Sequence, residues 1–120
     1  MQFSSQIHRL NCAVALERLG GDEQLLCEVA QLFLSECPEL VLQVRAAVAE
    51  RSAEALQQAA HSLKGSVSNF GADAASDAAL ALELMGRSGQ LSGAENGLAA
   101  LEQALAYIQP ALEELAAQAE

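Results

Sequence analysis

The sequence has no tryptophan and few aromatic residues: one tyrosine and three phenylalanines make up 3% of its 120 residues. Apolar residues nevertheless account for 52% of the chain, and alanine and leucine dominate among them. Both are strong helix formers, whereas a sheet protein would be richer in valine, isoleucine, threonine and aromatic residues. The composition therefore predicts close-packed helices. The length predicts one domain that spans residues 1–120.

Basic residues are also scarce. Six Lys and Arg stand against sixteen Asp and Glu, which gives a formal net charge of −10. Such a surface repels phosphate backbones and anionic lipids, which argues against binding to nucleic acid or to a membrane surface. The sequence also lacks an apolar run of signal-peptide or membrane-spanning length. We therefore expect a cytoplasmic protein.

Cysteines are too few and too widely spaced for a disulfide framework. Cys12, Cys27 and Cys37 are odd in number and form no CxxC pair. This pattern predicts reduced, mostly buried thiols in a cytoplasmic protein and no metal site.

The two prolines both fall within apolar patterns of helical period. Asp22 is the expected N-cap of a helix whose apolar stripe stays in phase across Pro38. The stripe consists of Leu26, Val29, Phe33, Cys37, Leu40, Val44 and Val48. It predicts one long helix from about 23 to 50, bent at the proline, and the alternative is a break at which Pro38 opens a new helix. A similar stripe passes Pro110 in phase and predicts a second bent helix from about 93 to 117.

Capping and turn residues divide the rest of the chain. A short helix is predicted at 11–19, and Ser52 is the expected N-cap of a helix that Gly71 ends. Asp73 is the expected N-cap of the following helix, and the stretch GRSGQLSG (86–93) is predicted to be a loop. Together these elements predict an all-α fold, an antiparallel four-helix bundle with a short additional N-terminal helix as a lid.

The helix after Ser52 carries a histidine that points away from the apolar stripe. At 100° per residue, His61 lies about 140° from the direction of that stripe, and Gly65 lies opposite to it. Residues 55–72 contain no carboxylate, and Lys64 is their one formal charge. A flat surface of small residues around a histidine and one cation is suited to receiving an anionic group from another macromolecule. The alternative is a solvated histidine without a role.

Spacing around the predicted turn at 71–73 brings a carboxylate to the height of this histidine. His61 precedes Gly71 by ten residues and Glu83 follows it by twelve, which is about 15 and 18 Å along two antiparallel helices. Glu83 could therefore accept a hydrogen bond from His61 Nδ1–H and leave Nε2 as the nucleophile. The alternative is an ordinary solvated carboxylate.

The stretch His61-Ser62-Leu63-Lys64-Gly65, followed by Gly71, resembles the signature of the histidine-containing phosphotransfer (HPt) domain family. The resemblance covers about residues 11–89. It includes the upstream stretch LFLSECPELVLQVRAAVAERSAEALQQAAH and the downstream stretch ALELMGRSG. The final helix matches only as an amphipathic helix of suitable length.

This resemblance implies that His61 accepts a phosphoryl group from the aspartate of one receiver domain and passes it to another. Lys64 would screen the phosphoryl charge, and Gly65 would let the partner surface approach. The implied partners are receiver domains of response regulators and a hybrid sensor histidine kinase. Mg²⁺ is expected in the receiver partner only, and no cofactor is expected here. The candidate docking residues are Gln57, Gln58, Ser62, Gly65 and Ser68.

Two other classes of function compete with this interpretation. An enzyme is disfavoured, because the sequence has no glycine-rich phosphate loop, no HExxH and no residues for an ATP-binding domain. His8 and His61 are its only histidines. A phosphorylation-independent helical adaptor could bind a receiver or kinase through the same face, but it would need neither His61 nor Lys64. The chain could be a free-standing shuttle or the terminal domain of a hybrid kinase, and Met1 favours the former.

Overall fold

The structure is a computed structural model that describes residues 5–119, and its regular elements in that range are all helical. A 3-10 turn at Ser5–Arg9 precedes the helices, and another at Ser68–Phe70 follows directly on the helix at Ala53–Val67. The helices are α1 (Cys12–Arg18), α2 (Glu23–Ala49), α3 (Ala53–Val67), α4 (Asp73–Ser88) and α5 (Ala94–Ala117). Helices α2 to α5 each pack against the next, and α5 returns to pack on α2. The predicted all-α bundle is confirmed.

Local hydrogen bonds explain where the main helices begin and end. The side chain of Asp22 accepts a hydrogen bond from the backbone of α2, and that of Ser52 does the same for α3. Gly71 and Gly89 have φ values of +63° and +76°, the left-handed conformation that terminates a helix at low cost only for glycine. Capping and turn chemistry therefore set these boundaries.

Both prolines lie inside continuous helices. Helix α2 runs through Pro38 and α5 runs through Pro110, so the alternative of a break at Pro38 is wrong. The bends at the two prolines stay predictions. Contacts of Gln31 with Ala116, Arg45 with Glu102 and Arg51 with Glu95 show that α2 and α5 are antiparallel. This register places Pro38 opposite Gln109, so the two prolines lie at about the same height along the helix pair.

Two predicted boundaries of α4 are wrong. Asp73 is the first residue of the helix and not its N-cap, because buried Ala72 occupies the cap position. In the first turn, the carboxylate of Asp73 still interacts favourably with the helix dipole. The predicted loop at 86–93 is helical as far as Ser88. Gly86 does not end the helix. It lies within α4, where the missing side chain lets the helix pack closely against its neighbour.

The close contact at Gly86 fixes the distance between α3 and α4. A Cβ atom placed there would lie 2.5 Å from the backbone nitrogen of Gln57 and 2.7 Å from the carbonyl oxygen of Ala53. Atoms of two helix backbones therefore meet at a position that no side chain can occupy. This contact holds the helix of His61 against the helix of Glu83.

The short helix α1 fastens the far end of α3. The backbone nitrogen of Asn11 donates to the carbonyl of Phe70 at 2.9 Å, and Arg18 donates to the carbonyl of Ser68 at 3.0 Å. The aromatic rings of Phe70 and Phe33 lie 5.6 Å apart and join this end to α2. None of the described helices is both long and apolar enough to cross a bilayer.

Candidate functional site

The outer face of α3 carries His61, and the inner face is fully buried. Leu56, Leu63 and Val67 have no exposed surface, whereas 67% of the His61 side chain is exposed. The face assignment from helical period therefore agrees with the observed burial. Lys64 follows one turn later, with 29% of its side chain exposed.

The buried side chain of Glu83 contacts the histidine ring at Nδ1. Its Oε2 lies 3.2 Å from His61 Nδ1, and only 4% of its side chain is exposed. It is therefore a buried charged residue and not the solvated carboxylate that the alternative described. Because this contact occupies Nδ1, Nε2 is the ring nitrogen left for reaction.

Two further cations converge on the same carboxylate. Lys64 Nζ lies 2.8 Å from Oε1 of Glu83 and forms an ion pair with it, and an Arg87 guanidinium nitrogen donates to Oε2 at 3.1 Å. Glu83 thus binds the histidine and two cations at once. A buried carboxylate with this many positive neighbours stays ionised.

The electrostatics of Glu83 reflect this arrangement. The ion pair with Lys64 lowers its pKa below the usual range, and the hydrogen bond from His61 adds to that effect. Burial opposes them by raising the pKa, but the net direction is downward. Glu83 is therefore a carboxylate at neutral pH and a hydrogen-bond acceptor only, which fixes Nδ1 as the protonated nitrogen of a neutral His61.

Replacing Glu83 with glutamine should lower the free energy of unfolding at pH 7 by about 1–3 kcal/mol, because hydrogen bonds to a charged group are lost. A group whose pKa is lowered by folding stabilises the protein above its unfolded pKa of about 4.3, and this contribution disappears as pH falls through the folded value. Denaturant melts from pH 7 to pH 3 should therefore show the two proteins converging in acid. Exposed Glu113, replaced in the same way, is the control. A stability difference that persists unchanged at pH 3 would contradict the assignment.

The candidate docking residues surround the histidine with little bulk. Gln58, Ser62 and Gly65 are exposed, and Gln57 is half-buried. Gly65 has no atom within 4 Å of the position that a Cβ would take, so it meets open space in the free protein. Ser68 lies at the end of the helix, where its hydroxyl donates to the carbonyl of Gly65.

Sequence analysis missed Arg87, which the structure brings to the site. Its spacing of four residues from Glu83 on one helix was an available signal. The signal was hidden because residues 86–93 were expected to be a loop. Once α4 continues to Ser88, Arg87 falls on the same face as Glu83.

Cysteines and other possible metal ligands are the remaining reactive groups in the described part of the chain. No cluster of three or more His, Cys, Asp or Glu side chains that could hold a metal ion occurs within residues 5–119. All three cysteines are free thiols, and burial raises the pKa of each.

This geometry defines a class: a four-helix bundle that presents one exposed histidine, held by a buried carboxylate, with a lysine one turn away. Comparison with protein-family models finds the Hpt domain at residues 28–118, and the chain belongs to that family. Members of this family are phosphotransfer modules of two-component systems that interact with receiver domains. A search of curated proteins and one of solved structures give no significant match.

Proposed function

We propose that this protein is a phosphorelay intermediate that carries a phosphoryl group on His61. It accepts the group from the aspartyl phosphate of one receiver domain and passes it to another, in the cytoplasm and downstream of a hybrid sensor histidine kinase. The observation that supports this most is the largely exposed ring of His61, which buried Glu83 contacts at Nδ1, so that Nε2 is left for reaction.

The transfer needs no proton movement when Nδ1 carries the hydrogen. The Nε2 lone pair attacks phosphorus, a P–N bond forms, the P–O bond to the receiver aspartate breaks, and the aspartate leaves as a carboxylate. The ring then bears a positive charge beside the Glu83 carboxylate. In the second transfer a carboxylate oxygen of the next receiver's aspartate attacks phosphorus. A new P–O bond forms, the P–N bond breaks, and the ring leaves as neutral imidazole, which restores the starting tautomer.

The charges around the ring match those of the phosphorylated state. A phosphoryl dianion and Glu83 together carry three negative charges. The phosphorylated ring, Lys64 and Arg87 carry three positive charges. Because phosphoryl transfer depends mainly on alignment and charge stabilisation, this chain can contribute without a catalytic base of its own. The Mg²⁺ that such a transfer uses belongs, in this proposal, to the receiver.

Incubation with a phosphorylated receiver domain tests the proposal. We expect acid-labile, base-stable phosphate on this chain, which is the behaviour of phosphohistidine. Transfer onward to a second, unphosphorylated receiver should then regenerate the free protein. A phosphorylation-independent adaptor would bind the receiver without acquiring phosphate, so binding without labelling would favour that function instead.

Lys64→Ala should slow transfer while leaving receiver binding intact. A lysine near the developing phosphoryl charge acts as a point charge, and its loss should cost about 1–3 kcal/mol of transition-state stabilisation at most. Single-turnover rates at saturating receiver are the measurement. Arg45→Ala, which removes a cation from α2 far from this face, should leave the rate unchanged. Equal rates for the Lys64 variant and the parent would remove this residue from the mechanism.

A further inference from the structure

A groove between α2 and α5 lies apart from the histidine face, since its walls include no residue of α3 or α4. Its volume is about 440 Å³, which is within the range of small-molecule sites. The buried side chains of Phe33, Leu105 and Leu112 form its base. The proposed phosphoryl transfer gives this groove no role.

Each wall of the groove belongs to a helix that contains a proline, Pro38 in α2 and Pro110 in α5. Proline has no N–H, so the carbonyl four residues before it loses its helical donor. The residues affected are Leu34, before Pro38, and Ala106, before Pro110, and both of them line the groove. Each wall therefore includes a residue whose backbone carbonyl lacks its usual helical hydrogen bond. Backbone acceptors without a donor are costly to bury, which favours a ligand that supplies one.

The charged residues of the groove cancel each other. Arg45 and Glu102 both line it and form an ion pair between α2 and α5. Their pairing leaves no free charge among its described lining residues. A neutral molecule fits this environment better than an anion or a cation.

We propose that the groove is a binding site for a small, neutral, largely apolar molecule that carries an N–H or O–H donor, such as a nitrogen heteroaromatic. The apolar base buries the ring system, and the carbonyl of Leu34 or Ala106 accepts the donor hydrogen. This site is independent of the proposed phosphoryl transfer and stands whether or not His61 is phosphorylated.

Two cysteines of this chain provide a reporter for ligand binding and an internal control. Cys37 lines the groove and Cys12 does not, yet both thiols are half-buried and burial raises the pKa of both. The experiment measures iodoacetamide alkylation of each cysteine by peptide mass spectrometry, with indole as the probe at millimolar concentration. We expect indole to slow alkylation of Cys37 at least about threefold and to leave Cys12 unchanged.

The donor requirement is tested by removing each partner of the hydrogen bond. The probe 1-methylindole has no N–H and should bind about 2–10-fold more weakly than indole. In Pro38→Ala or Pro110→Ala the restored backbone N–H donates to the carbonyl of Leu34 or Ala106. The ratio of indole affinity to 1-methylindole affinity should therefore fall towards one in at least one variant. Ala106→Leu should abolish protection by filling the groove, and a thermal melt would show that this variant is folded.

Four results with the indole probes would overturn the proposal, and a fifth comes from the protein without a probe. They are equal protection of Cys12 and Cys37, no protection of Cys37 by indole, equal binding of indole and 1-methylindole, and full protection in folded Ala106→Leu. Protection of Cys37 that increases with protein concentration in the absence of indole would also overturn it, since a second copy of the chain would then occupy the groove.

Discussion

Replacing His61 with glutamine is expected to abolish phosphoryl acceptance while the bundle stays folded. Glutamine has no nucleophilic nitrogen, but its amide can still donate a hydrogen bond towards Glu83. The side chain is largely exposed, so the free energy of unfolding should change by about 1 kcal/mol or less. The measurement pairs a denaturant melt with phosphate incorporation from a phosphorylated receiver.

The other histidine of the chain gives a matched control for this experiment. His8 is exposed in the N-terminal 3-10 turn, and His8→Gln should accept phosphate as the parent does. Full incorporation in the His61 variant would place the phosphorylated residue elsewhere. Loss of cooperative unfolding would show that His61 has a structural role in the bundle.

Substitutions of Gly65 are expected to separate stability from transfer. Gly65→Ala should raise the free energy of unfolding by about 0.5–1 kcal/mol, because alanine favours the helix and the added Cβ meets open space. Gly65→Gln should also be accommodated in the free protein. In a complex with a receiver, however, the longer side chain would stand one turn from His61 and hold the partner away.

The expected loss of transfer in Gly65→Gln is about 100-fold, because a displacement of about 1 Å can have that effect on a reaction rate. Thermal melts and single-turnover transfer rates on both variants are the measurements. An exposed position elsewhere on α3, such as Ala55→Gln, controls for bulk on the same helix. Undiminished transfer by the Gly65→Gln protein would mean that the glycine does not serve partner approach.

Periodicity and capping predicted most of the fold because they depend on neighbours in the sequence. The long helices through Pro38 and Pro110 were predicted from stripes that remain in phase, and Asp22 and Ser52 cap the helices expected of them. The end of α4 was wrong for the opposite reason. Gly86 reads as a helix terminator in isolation, but its missing side chain serves a contact with another helix.

In the candidate site, too, some features depend on neighbours in the sequence and others on packing between helices. The exposure of His61 and the similar heights of His61 and Glu83 on two antiparallel helices followed from helical angles and rises. The burial of Glu83 could not be predicted, because it depends on how closely α3 and α4 approach. The three-way contact of Glu83 with His61, Lys64 and Arg87 likewise required the packed structure.

The backbone contact at Gly86 sets the distance between α3 and α4 at the site. His61 lies on α3 and Glu83 on α4, so the backbone contact at Gly86 limits how far apart the two side chains lie. A side chain added at position 86 would push α3 and α4 apart. The His61–Glu83 contact would then lengthen, although neither residue is changed. The nitrogen chemical shift of His61 Nδ1 should then change, because that nitrogen makes the lengthened contact. A substitution at position 86 is therefore expected to change the reactivity of His61 through the His61–Glu83 distance, while every chemical group of the site is kept.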